Sequence, residues 1–143
     1  MNDPAGYYAY GKKVDDLAKN LLAFKNDLQR RSLWDSTAIV LLSEFGRTIR
    51  ENGSQGSDHG RGGAMLLLGG ALRAHADPAY LGLRSLSLPA TFDASSALDV
   101  VHDYRVVMAE ILERHLGLPQ TTALGLFQPA ASVRASDYLN VVR

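Results

Sequence analysis

The residue pattern predicts an α/β fold in which short strands, buried on both faces and running parallel, are flanked by helices. Three observations carry that prediction. Residues 8–31 show an apolar stripe at helical spacing, and residues 37–42 and 64–68 are apolar on both parities. A long polar, glycine-rich stretch separates the two apolar runs.

The helix comes first. Val14, Leu17, Ala18, Leu21, Leu22, Phe24 and Leu28 share one side, and Asp15, Asp16, Lys19, Asn20, Lys25 and Asp27 the other. Acidic residues stand early and Arg30 and Arg31 stand at the end, the order that a helix dipole favours. Tyr7, Tyr8 and Tyr10 read as packing residues where the chain enters this helix.

A turn over residues 32–36 leads into Thr37-Ala38-Ile39-Val40-Leu41-Leu42. A short apolar run without alternation suits a strand covered on both faces, which is the habit of parallel strands in helix-flanked sheets. Residues 43–63 bring glycines at 46, 53, 56, 60, 62 and 63 among Asn52, Ser54, Gln55 and Ser57, and fit no regular element. Ala64-Met65-Leu66-Leu67-Leu68 then reads as a second buried strand, ending at Gly69-Gly70.

Residues 71–97 carry a weak pattern broken by Pro78 and Pro89. A second helix follows, with Tyr104, Val107, Met108, Ile111, Leu112 and Leu116 as its stripe and Asp103 or Asp99 as N-cap. Gly117 and Pro119 stop it, and the chain from Thr121 onward reads as irregular.

Composition limits the function classes. The 143 residues suffice for one domain with a core, and 46% are hydrophobic. Fifteen basic and fifteen acidic residues cancel, so no basic excess draws the chain to nucleic acid or to an anionic membrane. The absence of cysteine excludes disulfides, a thiolate nucleophile and cysteine-ligated zinc. The first residues have neither a basic start nor an apolar run, so no signal peptide is expected, and neither apolar run is long enough to span a bilayer.

Chemistry is expected where the first strand ends, because open α/β sheets bind ligands beyond the carboxyl ends of their strands. Glu44 and Arg47 follow that strand, and Ser57-Asp58-His59-Gly60 closes the same polar stretch. Carboxylate and imidazole suit a divalent ion such as zinc or manganese, and a guanidinium suits phosphate or sulfate. In a regular strand Asp58 and His59 would face opposite sides, so convergence on one ion requires an irregular backbone. The pattern alone also allows a chance Asp-His dipeptide, an exposed Glu44–Arg47 ion pair and a plain connecting loop. His75 reads as solvated, His115 as a residue complementing the helix end, and His102 beside Asp103 as part of a helix start.

Ser43-Glu44-Phe45-Gly46-Arg47-Thr48, Arg50-Glu51-Asn52-Gly53-Ser54, Asp58-His59-Gly60 and Gly62-Gly63-Ala64-Met65 resemble the hallmark of the bacterial "domain of unknown function 1501" family. Asp103-Tyr104-Arg105 and the segment from Glu110 to Gly117 are similar to its closing helix. The resemblance implies membership of the alkaline phosphatase and sulfatase clan and a doubly wound sheet with a one-metal or two-metal site at its carboxyl edge. It implies that Glu44, Asp58 and His59 are metal ligands and that Arg47 acts in catalysis. It further implies that residues 1–143 form one partial α/β domain, the C-terminal portion of a longer one, whose N-terminal part carries the nucleophile and further ligands. Residues 78–98 depart from the family's pattern, where a glycine-rich turn is expected. Longer relatives are expected to be exported to the periplasm.

Two functions compete on this reading. One is a metal-dependent hydrolase of phosphate or sulfate esters, incomplete as this chain. The other is a non-catalytic binding or assembly protein that keeps the fold and pairs with itself or with the missing half.

Overall fold

The computed structural model describes residues 10–73, 97–98, 100–127 and 133–143. Helix α1 (Tyr10–Arg30) follows the predicted stripe almost to its ends and breaks at Ser32, whose φ is +57°. One turn of 3-10 helix, Trp34–Ser36, sets the chain into β1 (Ile39–Leu42). The chain returns through β4 (Met65–Leu68), with β2 (Gly46–Arg47) and β3 (His59–Gly60) between them.

The sheet differs from the expected one in direction and in cover. β1 pairs antiparallel with β4, Val40 opposite Leu67, and β2 pairs antiparallel with β3, Arg47 opposite His59. Parallel neighbours need a crossover connection, normally a helix. The chain between β1 and β4 instead doubles back on itself, so the two strands must run in opposite directions. Among the described residues the architecture is mixed α/β with two small antiparallel sheets, not a doubly wound parallel one.

Among the described residues, one side of β1–β4 packs on the core. Val40, Met65 and Leu67 pack with Ala38 on a cluster of Val107, Ile111, Val141 and Val142, while Leu66 on the other side is 54% exposed. The expectation of strands buried on both faces is corrected accordingly: the doubly apolar run marks strands whose outer side lacks a layer among the described residues.

Helix α2 (Tyr104–Glu110) joins the halves of the core. Asp103 caps it, accepting the Arg105 backbone N–H at 2.9 Å, and the Arg105 guanidinium holds that carboxyl below the ordinary carboxylate range. The helix widens into a π-helical turn over Ile111–His115 and stops at Gly117, whose φ is +72°. Val106 and Ala109 face Val133 and Tyr138, and Val107 and Ile111 face the sheet. Full burial of each such aliphatic side chain stabilises by about 1.5–3 kcal/mol.

The region read as an irregular tail holds order of its own. Pro119 starts α3 (Gln120–Gly125), a second 3-10 turn spans Ala135–Asp137, and Val142 bridges back to Leu72. His75 and most of residues 71–97 lie outside the described residues. No helix among the described residues is long and apolar enough to cross a membrane.

Tyr138 gives this core a pH limit. Its hydroxyl donates to Glu113 Oε2 at 2.8 Å, and burial, with that carboxylate second, pushes the phenol up to about 12. The folded state therefore prefers the neutral phenol. The stabilisation is complete below the unfolded value of 10.0 and is lost as pH climbs through about 12. Urea midpoints between pH 8 and pH 12 should fall more steeply in the native chain than in Tyr138→Phe; equal slopes would refute the assignment.

Candidate functional site

The polar stretch is an arm, not a loop. Beyond β1–β4 the two strands separate, with residues 43–45 on one side facing residues 61–64 on the other, and pair again as β2–β3. The extra residue on the return strand makes a bulge, which bends the ladder. At the bulge, Gly62 N–H leaves the arm and donates to Leu98 O at 2.9 Å. Thr48 continues the pairing, its N–H donating to Asp58 O at 3.0 Å while its Oγ1 accepts from Asp58 N at 2.9 Å.

Asn52 organises the tip. Its Oδ1 accepts from Ser54 N at 3.0 Å and Gly56 N at 3.1 Å, and its backbone N–H donates to Gly56 O at 2.8 Å. Asparagine side chains commonly close turns this way. Its Nδ2 then donates to Asp58 Oδ1 at 2.8 Å, fixing the carboxylate against the tip.

The period-two geometry of the arm divides the sequence-predicted residues between its sides. On one side, Phe45 stacks on His59 with ring centroids 3.7 Å apart and planes inclined by 27°. The Arg47 guanidinium lies 5.1 Å from the Phe45 ring and donates from Nη1 to Ser57 O at 2.8 Å. These two contacts hold an exposed cation in one orientation beside an exposed imidazole.

On the other side, Asp58 lines an open depression of about 310 Å³ with Thr48, Arg50, Glu51, Asn52 and Gly53. Glu44 lies exposed in the connection between β1 and β2, and Arg47 gives its hydrogen bond to Ser57 rather than to that carboxylate.

Arg47 and His59 are thus brought together, and Asp58 is turned away from both. Among the described residues, no three His, Asp or Glu side chains are placed to hold a metal ion. Glu44, Asp58 and His59 do not make a metal centre of their own in this arrangement. His102 and Asp103 line a second depression with Val106 and Asp137.

Phe45, Ser57 and Asn52 are arm residues to which motif reading assigned no role. Phe45 carries a legible signal, two residues from Arg47 and so on its side of a strand. The Asn52-Gly53 dipeptide is a turn signal of the usual kind.

No match is found among curated proteins or among solved structures. A family model does match, over residues 7–76, which span α1, both sheets and the whole arm. That match, to the family described as "Protein of unknown function (DUF1501)", supports placing the chain in that family.

Proposed function

We propose that the chain contributes one side of a metal-dependent phosphate- or sulfate-ester hydrolase, with the Arg47 side of the arm binding the anionic group. One observation carries this reading: the Arg47 guanidinium, exposed and oriented by Phe45 and Ser57, stands opposite His59 on a hairpin stiffened by Asn52 and Thr48. A planar fork of N–H donors matches an oxyanion better than a lysine would, and its orientation reduces the entropy lost on binding.

The kinship with the alkaline phosphatase and sulfatase clan, its doubly wound sheet and the export of longer relatives belong to this proposal. So does the divalent ion, zinc or manganese, which in this arrangement requires ligands from outside the described residues beside Glu44, Asp58 or His59.

The test is titration of the isotopically labelled chain with inorganic phosphate and with sulfate, followed by amide NMR. Shifts should localise to residues 45–47 and 57–60, and Arg47→Ala should weaken binding by about tenfold or more. Binding that survives Arg47→Ala unchanged would sink the reading.

A second reading, a non-catalytic binding or assembly protein, is favoured by a separate observation. Val14, Leu17, Leu22 and Phe24 of α1 are between 42% and 57% exposed, an apolar side without cover among the described residues.

A further inference from the structure

We infer that Asn52 is a site of spontaneous chemical modification: its side-chain amide is lost through a cyclic imide with Gly53, leaving aspartate or isoaspartate at the tip of the arm. This goes beyond the ester-binding reading and does not rest on it.

The reaction is attack by the Gly53 backbone nitrogen on Asn52 Cγ. The N–H proton passes to water, the N–Cγ bond forms, and the Cγ–Nδ2 bond breaks as ammonia leaves. Water then opens the imide at either carbonyl, and Gly53 N recovers its proton. Opening at Cγ gives aspartate. Opening at the former backbone carbonyl gives isoaspartate, whose main chain runs through the old side chain.

The tip sets each reacting atom for this step. Gly53 follows Asn52, so no Cβ stands beside the attacking nitrogen. Gly53 is exposed, and its N–H has no hydrogen-bond partner among the described residues. The bond from Ser54 N–H to Asn52 Oδ1, 3.0 Å long, closes a tight ring through Gly53 that contains both Cγ and the attacking nitrogen. Gly56 N–H donates to the same oxygen at 3.1 Å. As the nitrogen attacks, negative charge gathers on Oδ1, and donors already aimed at it stabilise the transition state more than the ground state. The leaving nitrogen, Nδ2, donates to Asp58 Oδ1 at 2.8 Å. That carboxylate favours the positive charge the nitrogen takes as it is protonated and departs.

The other asparagines among the described residues lack this setting. Asn20 and Asn26 lie inside α1, where helical hydrogen bonds occupy the N–H groups of Leu21 and Asp27. Asn140 precedes Val141, whose branched side chain is buried beside the nitrogen. The product at Asn52 differs from its precursor in one respect that matters to the arm. Aspartate sets a carboxylate oxygen where Nδ2 donated, so attraction to Asp58 becomes repulsion and the tip is released.

The test is timed incubation of the full chain at neutral pH, followed by tryptic digestion and mass spectrometry. Arg50 and Arg61 release residues 51–61 as one peptide, and a synthetic peptide of the same residues is the unfolded reference. The folded chain should lose the Asn52 amide severalfold faster than the free peptide, while Asn20, Asn26 and Asn140 stay intact. Asp58→Ala should slow the loss toward the peptide's rate, and Gly53→Ala, where the added methyl meets nothing within 4 Å, should nearly stop it. A folded chain that reacts no faster than the free peptide would overturn the inference, since the same hydrogen bonds would then be protecting the amide. A rate unchanged by Asp58→Ala would overturn the part given to that carboxylate.

Discussion

Gly69→Ala should destabilise the fold by about 3 kcal/mol or more, a large part of the ~5–15 kcal/mol that holds a domain of this size together. Two independent causes act at this residue. Its φ of +135° lies where side-chain-bearing residues are rarely found. A methyl group built there would also stand 2.0 Å from the Thr37 carbonyl oxygen and 3.1 Å from Ala38 Cα. Both obstacles are backbone, at the point where the chain leaving β4 crosses the start of β1. Gly70 N–H donates to Trp34 O at 3.0 Å and Ala71 N–H to Thr37 O at 3.2 Å, so neither segment can move away without breaking the other's hydrogen bonds. Gly53→Ala is the matched control, since nothing lies within 4 Å of the added methyl. It should unfold near the wild-type urea midpoint. If the two variants share a midpoint, the close crossing at Gly69 is not a determinant of stability.

That contrast shows why some of the structure was legible and some was not. α1 follows from a stripe within one segment, and α2 from Asp103 before it and Gly117 after it; each signal is local. The direction of β1 and β4 is not local. Ile39-Val40-Leu41-Leu42 and Met65-Leu66-Leu67-Leu68 are apolar on both parities, a pattern that leaves covered parallel strands and half-covered antiparallel ones equally possible. The deciding feature was the connection: it carries no helical pattern, and without a crossover the strands must run in opposite directions.

The arm escaped notice for a related reason. Gly46, His59 and Gly60 have little strand propensity, and they pair because the backbones meet closely there. A methyl on Gly46 would lie 1.7 Å from Gly62 O. At the candidate site, Arg47, Asp58 and His59 share one short hairpin, where the sequence pattern led to the expectation of a loop without regular elements. Their division between two sides follows from strand alternation, which only the pairing of the arm could reveal.

Glu110→Ala should cost about 2–4 kcal/mol, although the residue lies far from the arm in sequence and is itself charged. Glu110 is fully buried where the two apolar clusters meet on α2. Its Oε1 accepts from the Val142 backbone N–H and from Arg114 Nη1, each at 3.2 Å, while Oε2 has no hydrogen-bond partner among the described residues. Alanine removes the acceptor for a buried N–H, leaves a cavity between the clusters and frees the segment that bridges Val142 to Leu72. Arg114 is less exacting. Its side chain is 37% exposed, it also donates to Asn140 Oδ1 at 2.8 Å, and it lies 5.3 Å from the Tyr138 ring, so water and these contacts soften its loss. The expected order of cost is therefore Glu110→Ala above Arg114→Ala. Glu110→Gln should cost least, because its amide oxygen can still accept from Val142 while no charge remains to be buried. Urea unfolding ranks the three, and amide exchange at Val142 identifies the cause. In Glu110→Ala that amide should lose protection well before the amides of α2, and in Glu110→Gln it should keep it. Equal costs for alanine and glutamine, with Val142 protected in both, would mean that cavity and hydrogen bond matter little and that the carboxylate's charge dominates.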